Sequence, residues 1–458
     1  MTPMTDRLDI PTGEIVELLQ TLIRNACVND GTESSGHEYR SVGTLTGYFG
    51  QDGVVVEPAP GRQSVVYRVA GGEPGAPALM LLPHLDVVPV SEDGWTHDPF
   101  GGEVVDGFVW GRGAIDMLNL TATMAAVFKR YLLGELPPLP GDLVFTATAD
   151  EEAGSALGAA WLAENEPDLV ACEYILTEIA TPHLHHGEGA GLPVTVAEKG
   201  PQWRNLSTTG TPGHGSQPFG TDNAMVPLAE AVARLAHAPT PVQISEDWVR
   251  FVAGSGLPDD LVSRLTDADQ VDAALDDLAD IDAGLARWAH ACTHMTLAPT
   301  VFDSGTKANV VPDAGFAQLD IRIAPGQDET TVDDHLRKVL GPDLSEQVDV
   351  EPNTAFLPTA SPAAGPLWEA IGGAALAQTG SQRLLPMLIP VSTDARFYRA
   401  KGVTAYGVGL FDDRMSFGEM LRLFHGHDER VSIGTLERTA RLLADTVDRF
   451  GTRTAQTS

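Results

Sequence analysis

Three strand-length apolar runs in this chain each end in side chains that can bind metals. LMLLPHLDVVP carries His84 and Asp86, LVFTATADEE carries Glu151 and Glu152, and YILTE carries Glu178. Short runs of this kind, apolar throughout and rich in β-branched residues, read as strands buried on both faces of a parallel sheet. Open sheets of that class bind their ligands beyond the carboxyl ends of the strands. Acids and histidines scattered along the sequence are therefore expected to meet at one edge of the fold. Two more segments supply candidates: Asp116 follows a glycine-rich turn in VWGRGAID, and His425 and His427 lie in LFHGHDE.

Strand, turn and helix signals alternate to about Val196, as in βαβ construction. The texture then changes. QWRNLSTTG and FAQLDIRIAP read as strands of a small antiparallel sheet, with helices predicted over AMVPLAEAVARLAHA and DETTVDDHLRKVL and a strongly acidic helical stretch up to about His290. After QVDVEP, the helix PLWEAIGGAALAQT and the buried strand VTAYGVGL resume the first pattern. The expected architecture is α/β: a mixed, mostly parallel sheet flanked by helices, interrupted by an α+β insert. Its intervals are 1–196 and 355–458 for the catalytic domain and 197–354 for the insert. A chain of 458 residues accommodates two such cores.

The formal charge of −34 argues against nucleic acid or anionic membrane as partner, since both need a positive face, and most of it reads as solvated acidic surface. No apolar run approaches the roughly 20 residues that span a bilayer. The start lacks a basic stretch leading into an apolar one, so the cytoplasm is the expected compartment. Cys27, Cys172 and Cys292 are too few and too scattered for a disulfide framework or a thiolate metal site.

The candidate ligands are mixed nitrogen and oxygen donors. Imidazole with carboxylate suits zinc first, with cobalt or manganese as alternatives, and argues against calcium or magnesium. Five ligands (His84, Asp116, Glu152, Glu178 and His425) exceed what one open tetrahedral ion needs. They suit two divalent ions sharing a carboxylate, and three carboxylates against two such ions leave roughly one positive charge. Glu151 and Glu152 are adjacent, so one can ligate while the other stays free as general base. Asp86 is placed to accept the second imidazole N–H of His84 and fix its tautomer. Each motif alone has a bland explanation as a turn, a helix start or a cap; their conjunction is what points to a centre. His183, His185 and His186 follow a polar turn and are read as exposed, and His427 is a weaker candidate than His425.

The chain resembles the co-catalytic zinc hydrolases that include aminoacylase, glutamate carboxypeptidase, acetylornithine deacetylase and succinyl-diaminopimelate desuccinylase. The resemblance rests on PHLDVVP, GWTHDPFGGEVVDGFVWGRGAIDM, ADEEAGS, Glu178, EKG, GTPGHGSQP, NVVPDAGFAQLDIR and FHGHDER, which occur in family order across most of the chain. It implies His84, Asp116 and Glu178 around one metal, with Asp116 bridging to a second held by Glu152 and His425. It also implies Glu151 as general base, Asp86 supporting His84, and a cis peptide at Asp116–Met117. The insert becomes a lid through which a homodimer forms, with His214 reaching the partner's site. Asn309, Arg322, Thr393 and Asp394 become substrate contacts. Two positions depart from the family pattern: Leu118-Asn119 replaces a lysine-glycine pair, and Ile179-Ala180 replaces two glycines. The expected activity is hydrolysis of a peptide or N-acyl amide beside a free carboxylate, carboxypeptidase- or dipeptidase-like. The alternatives are an N-acyl-amino-acid deacylase of the acetylornithine or succinyl-diaminopimelate type and a non-catalytic metal-binding scaffold.

Overall fold

The computed structural model describes residues 10–91, 93–184 and 191–457. Its large sheet has four adjacent strands running parallel at the centre: Leu143–Ala147, Leu79–Leu81, Tyr174–Thr177 and Thr404–Gly407. Antiparallel strands Val54–Ala59 and Arg62–Val69 extend one side. On the other side Leu192–Glu198 pairs antiparallel with Thr404–Gly407 and parallel with Leu384–Ile389. The helices Thr12–Arg24, Leu118–Leu132, Pro366–Thr379 and Ile433–Thr457 flank this sheet. The central strands are fully apolar because both their faces are covered: every residue of Leu143–Ala147 and of Leu79–Leu81 is buried. No helix among the described residues is long and apolar enough to cross a membrane.

Three of the four parallel strands are those whose carboxyl ends carry the candidate ligands. Leu79–Leu81 lies between Leu143–Ala147 and Tyr174–Thr177, so His84, Glu151, Glu152 and Glu178 emerge side by side. The register continues past the strands, where His84 pairs with Thr148 in a parallel bridge.

Between Glu198 and Thr359 the chain builds a second sheet, ordered Thr296–Ser304, Ala314–Ile323, Gly200–Thr209 and Asp349–Ala355, all antiparallel. Burial alternates along Ala314–Ile323 because one face is covered. Leu206, Leu319 and Ile321 pack there against Leu228 and Leu235 of Met225–His237 and Leu336 and Leu340 of Glu329–Ser345. The acidic helical stretch resolves into four helices, Glu246–Ala253, Asp259–Leu265, Val271–Ile281 and Ala283–Thr293. Their apolar faces join the core of the large sheet, not that of the small one: Trp248, Phe251 and Trp288 share a cluster with Met387, Phe417 and Met420. The interval read as a single insert thus contains two packing units.

Gly407, at the end of Thr404–Gly407, lets the neighbouring strand end approach closely. A Cβ there would lie 1.8 Å from the carbonyl oxygen of Glu178. Gly407→Ala is expected to push that turn aside and destabilise the fold by about 1–3 kcal/mol, the usual cost of overpacking. Urea unfolding of the two proteins measures it, and an unchanged midpoint would show that the strand end yields freely.

Candidate metal centre

His84 leaves its strand with Nδ1 3.0 Å from the backbone carbonyl of Asp86. Donating that N–H leaves Nε2 with a lone pair for a cation. Nε2 faces Asp116 Oδ1 at 3.3 Å and Glu178 Oε2 at 3.9 Å. On the other side, His425 Nε2 lies 3.2 Å from Asp116 Oδ2 and 3.4 Å from Glu152 Oε2. The two oxygens of Asp116 therefore address two different histidines. Donor atoms of His84, Asp116 and Glu152 fall within 4.8 Å of one another, as do those of His84, Glu151 and Glu178. The Asp116–Met117 peptide is cis.

The protein's own charges strain this arrangement. Burial and then the charge of Glu178 raise Glu151 well above the usual carboxylate range. Burial raises Glu178 likewise, with Asp116 adding to it. Burial, followed by Asp116, pushes Glu152 up to about 7. Burial opposes a charged imidazole at His84, yet the hydrogen bond to Asp116 and the charges of Glu178 and Glu151 hold its pKa well above the ordinary value. Hydrogen bonds to Asp116 and Glu152 raise His425 to about 10. Glu152 Oε1 is buried without a hydrogen-bond partner among the described residues. Buried polar atoms are normally satisfied. A crowd of carboxylates, two imidazoles and an orphaned oxygen is the donor set that divalent cations complete.

Asp86 holds the centre differently from the sequence expectation. Its carboxylate stands 3.6 Å from the His84 ring, while its backbone carbonyl takes the ring N–H. The carboxylate instead accepts the backbone N–H groups of Glu151 and Glu152, each at 3.1 Å, and the Asn29 amide at 2.8 Å. It thereby orients the turn that presents both glutamates. Beneath it, Asp150 accepts from Arg62 at 2.8 Å, and Arg62 also grips Glu38. A second buried carboxylate, Glu429, clamps the Asp116 turn. It accepts the N–H groups of Ile115 at 2.6 Å, Asp116 at 3.0 Å and Gly113 at 3.1 Å, and Arg112 at 2.6 Å. Arg112 also donates to the His425 carbonyl at 3.1 Å, tying the two turns together. Sequence reasoning assigned no role to Glu429, Arg112, Asp150 or Arg62. Arg112, Asp150 and Glu429 stand within the GRGAID, ADEE and FHGHDER motifs, whereas Arg62 lies in none of them.

The remaining candidates divide. Arg322 lines the cavity above the cluster, its guanidinium held by Asp320 at 3.0 Å. Thr393 and Asp394 lie buried beneath the site: Asp394 accepts the Thr148 hydroxyl at 2.6 Å, and the Thr393 N–H donates to Glu198. His214 and Asn309 sit on a short exposed ribbon, where Gly213–His214 pairs with Val310–Val311, and neither is among the residues lining the cavity. Ser91 engages His427 Nε2 at 2.7 Å, away from the cluster. His183 is half-buried, and His185 and His186 lie outside the described residues. Ile179 adopts φ +76°, a left-handed conformation costly for a β-branched residue and natural for the glycine of the family pattern.

The profile of Peptidase family M20/M25/M40 matches residues 80–449. Among characterised proteins the chain is similar to aminoacylase-1B of Rattus norvegicus, 28% identical over 385 residues covering 82% of this chain and 80% of the relative. It is similar to succinyl-diaminopimelate desuccinylase of Methylobacterium sp. (strain 4-46), 26% identical over 453 residues and 96% of both chains. Human carnosine dipeptidase 1 shares the fold with a TM-score of 0.68 at 16% identity, covering 98% of each chain. So does an M20 family metallo-carboxypeptidase from Sulfolobus solfataricus, with a TM-score of 0.68 at 17% identity, covering 96% of this chain and 98% of that one. With the profile spanning most of its length, the chain belongs to peptidase family M20/M25/M40 and is a hydrolase of that family.

Proposed function

We propose that the protein is a two-metal amidohydrolase that cleaves a peptide or N-acyl amide bond beside a free carboxylate. The observation that carries this reading is Asp116, whose two carboxylate oxygens face His84 and His425 separately. His84, Asp116 and Glu178 would hold one ion and Asp116, Glu152 and His425 the other, zinc first, with cobalt or manganese as alternatives. When bound, such a pair lowers the pKa of water to about 7 and polarises a carbonyl. Glu151 takes the proton of the attacking water and returns it to the leaving amine. Its neighbour Glu152 turns toward Asp116 and His425, which leaves Glu151 free for that task. Arg322 is the group on the cavity wall suited to a substrate carboxylate, since its planar fork can grip one bidentately once Asp320 shares it.

The family relatives favour a deacylase as the second reading, because aminoacylase and desuccinylase are the names that recur among them. A silent scaffold is the third, and the complete ligand set weighs against it. We place the protein in the cytoplasm. We also infer a homodimer through the small sheet. The edge strand Thr296–Ser304 exposes Val301 and Phe302, and edges with exposed apolar residues pair readily with a second copy. In such a dimer His214 and Asn309, outside the cavity of their own chain, are available to the partner's.

Amine release from a panel of dipeptides and N-acyl amino acids, with and without a chelator, tests the activity. Release that stops on chelation and returns with zinc, cobalt or manganese is the expected result; none with any metal would favour the scaffold. Glu151→Gln should lower kcat by roughly 10²- to 10⁴-fold, the range that general-base catalysis supplies. Metal analysis of that variant should still find two ions per chain, and near-normal turnover would reject the role. Phe302→Asp should sediment as a monomer, keep its metals and lose activity. A monomer that remains fully active would remove His214 from the partner's site.

A further inference from the structure

We infer that the acidic helical segment 246–293 forms part of the substrate site, and that Trp288 closes a subsite for a bulky apolar group, aromatic or aliphatic. The inference rests on the amidohydrolase reading for its reaction and on the cavity walls for its chemistry.

The four helices carry Asp259, Asp260, Asp272, Asp276, Asp277 and Asp280 outward, and bury Trp248, Phe251, Leu261, Leu265, Leu275, Leu278 and Trp288 inward. The inward face is docked at fixed points. Asp282 caps Ala283–Thr293 through the N–H groups of Gly284 and Leu285. A Cβ at Gly418 would stand 2.6 Å from that carboxylate, so the helix start sits directly on Phe417–Leu423. Cys292 donates to the carbonyl of Leu388 at 3.2 Å. Trp288 is wedged among Phe251, with ring centroids 4.8 Å apart, Trp248 at 5.7 Å and Phe417 at 5.5 Å.

The helix that receives Trp288 runs directly into the metal centre. Phe417, Met420, Leu421 and Phe424 precede His425, and all of them line one cavity of about 840 Å³ with Asp116, Glu151, Glu152 and Glu178. Met387 continues the same wall. The volume lies within the range that encloses a drug-sized ligand. Of the two arginines of the cavity, Arg322 pairs with Asp320 and is the carboxylate contact proposed above, and Arg396 donates to the carbonyls of Thr393 and Gly154, over the rings of Phe356 and Phe397. A polar side chain placed against Trp288, Phe417, Met420, Leu421 and Phe424 meets only apolar side chains of that wall and loses its hydration. An apolar group gains by burial. It can come from the acyl half of the amide or from the amino-acid side chain, and the chemistry of the wall is the same for both.

The test uses two substrate series with the metal-loaded protein. One varies the side chain of N-acetyl amino acids through glycine, alanine, leucine and phenylalanine; the other varies the acyl group of glycine from acetyl to hexanoyl to decanoyl. Along one series kcat/KM should rise by about fourfold per buried methylene, and the rising series identifies the source. Trp288→Ala should shrink the ratio between the largest and smallest members at least tenfold. Leu421→Gln, a half-buried position whose replacement is easier for the fold to tolerate, should do the same. A merely structural role would slow all substrates alike and leave the ratio unchanged, which would overturn the proposal, as would two flat series. Calorimetry on the Glu151→Gln protein separates the two readings. N-acetyl-phenylalanine or N-decanoyl-glycine should bind more tightly than N-acetyl-glycine and with a more negative heat-capacity change, a difference lost in a Trp288→Ala background. Such binding without hydrolysis of any amide by the unaltered protein would remove the activity and keep the subsite. Hydrolysis with equal affinities would do the reverse.

Discussion

Crowded negative charge at one end of the sheet is the constraint to which the rest of the molecule answers. Asp116, Glu151 and Glu152, half-buried, and Glu178, buried, meet around His84. Like charges about 4 Å apart repel by about 4 kcal/mol at an effective dielectric constant of 20. A domain whose whole stability is about 5–15 kcal/mol cannot carry several such pairs uncompensated. The groups respond in part by shifting their proton affinity, upward for Glu151, Glu152 and Glu178 and for the imidazoles. Divalent cations answer the same repulsion more completely, and the orphaned oxygen of Glu152 marks where one is wanted.

The acids of the region fall into two kinds by what their oxygens touch. Asp86, Asp150 and Glu429 are saturated with donors from backbone amides, Asn29, Arg62 and Arg112. They shape turns. Asp116, Glu152 and Glu178 have few donors beyond the histidines and face the cavity. Hydrogen bonds to charged groups are the stronger class, so the first kind can hold the second in place against its own repulsion. That division explains why a centre assembled from five separate segments keeps a defined shape.

Much of this was legible beforehand. His84, Glu151, Glu152 and Glu178 each follow an apolar run, and the parallel pairing of those runs places their ends together without further information. Asp116 and His425 were legible through their glycine-containing turns and through resemblance. What the sequence left hidden depends on three-dimensional partners with no periodic signature. Nothing in the spacing of Asp86 tells whether its carboxylate or its carbonyl meets the imidazole, because both lie two residues away. Glu429 and Arg112 gave no local signal of their pairing, being 317 residues apart. The acidic stretch read correctly as helices, but the destination of its apolar face was set by Met387, Phe417 and Met420, far along the chain. Thr393 and Asp394, matched by resemblance to a substrate-side motif, lie buried, with Asp394 accepting the Thr148 hydroxyl, a placement no local pattern foretold.

The clamp between Glu429 and the Asp116 turn has a bearing on how the protein is born. The turn is complete only when a carboxylate 313 residues downstream arrives. At the usual pace of about 5–20 residues per second on the ribosome, that interval is roughly 15 to 60 seconds. His425 comes just ahead of the same carboxylate. The strands Leu143–Ala147, Tyr174–Thr177 and Thr404–Gly407 and the acids Glu151, Glu152 and Glu178 emerge in turn during that interval, and the pair that unites the turns arrives last, so the centre closes only when nearly the whole chain has been made.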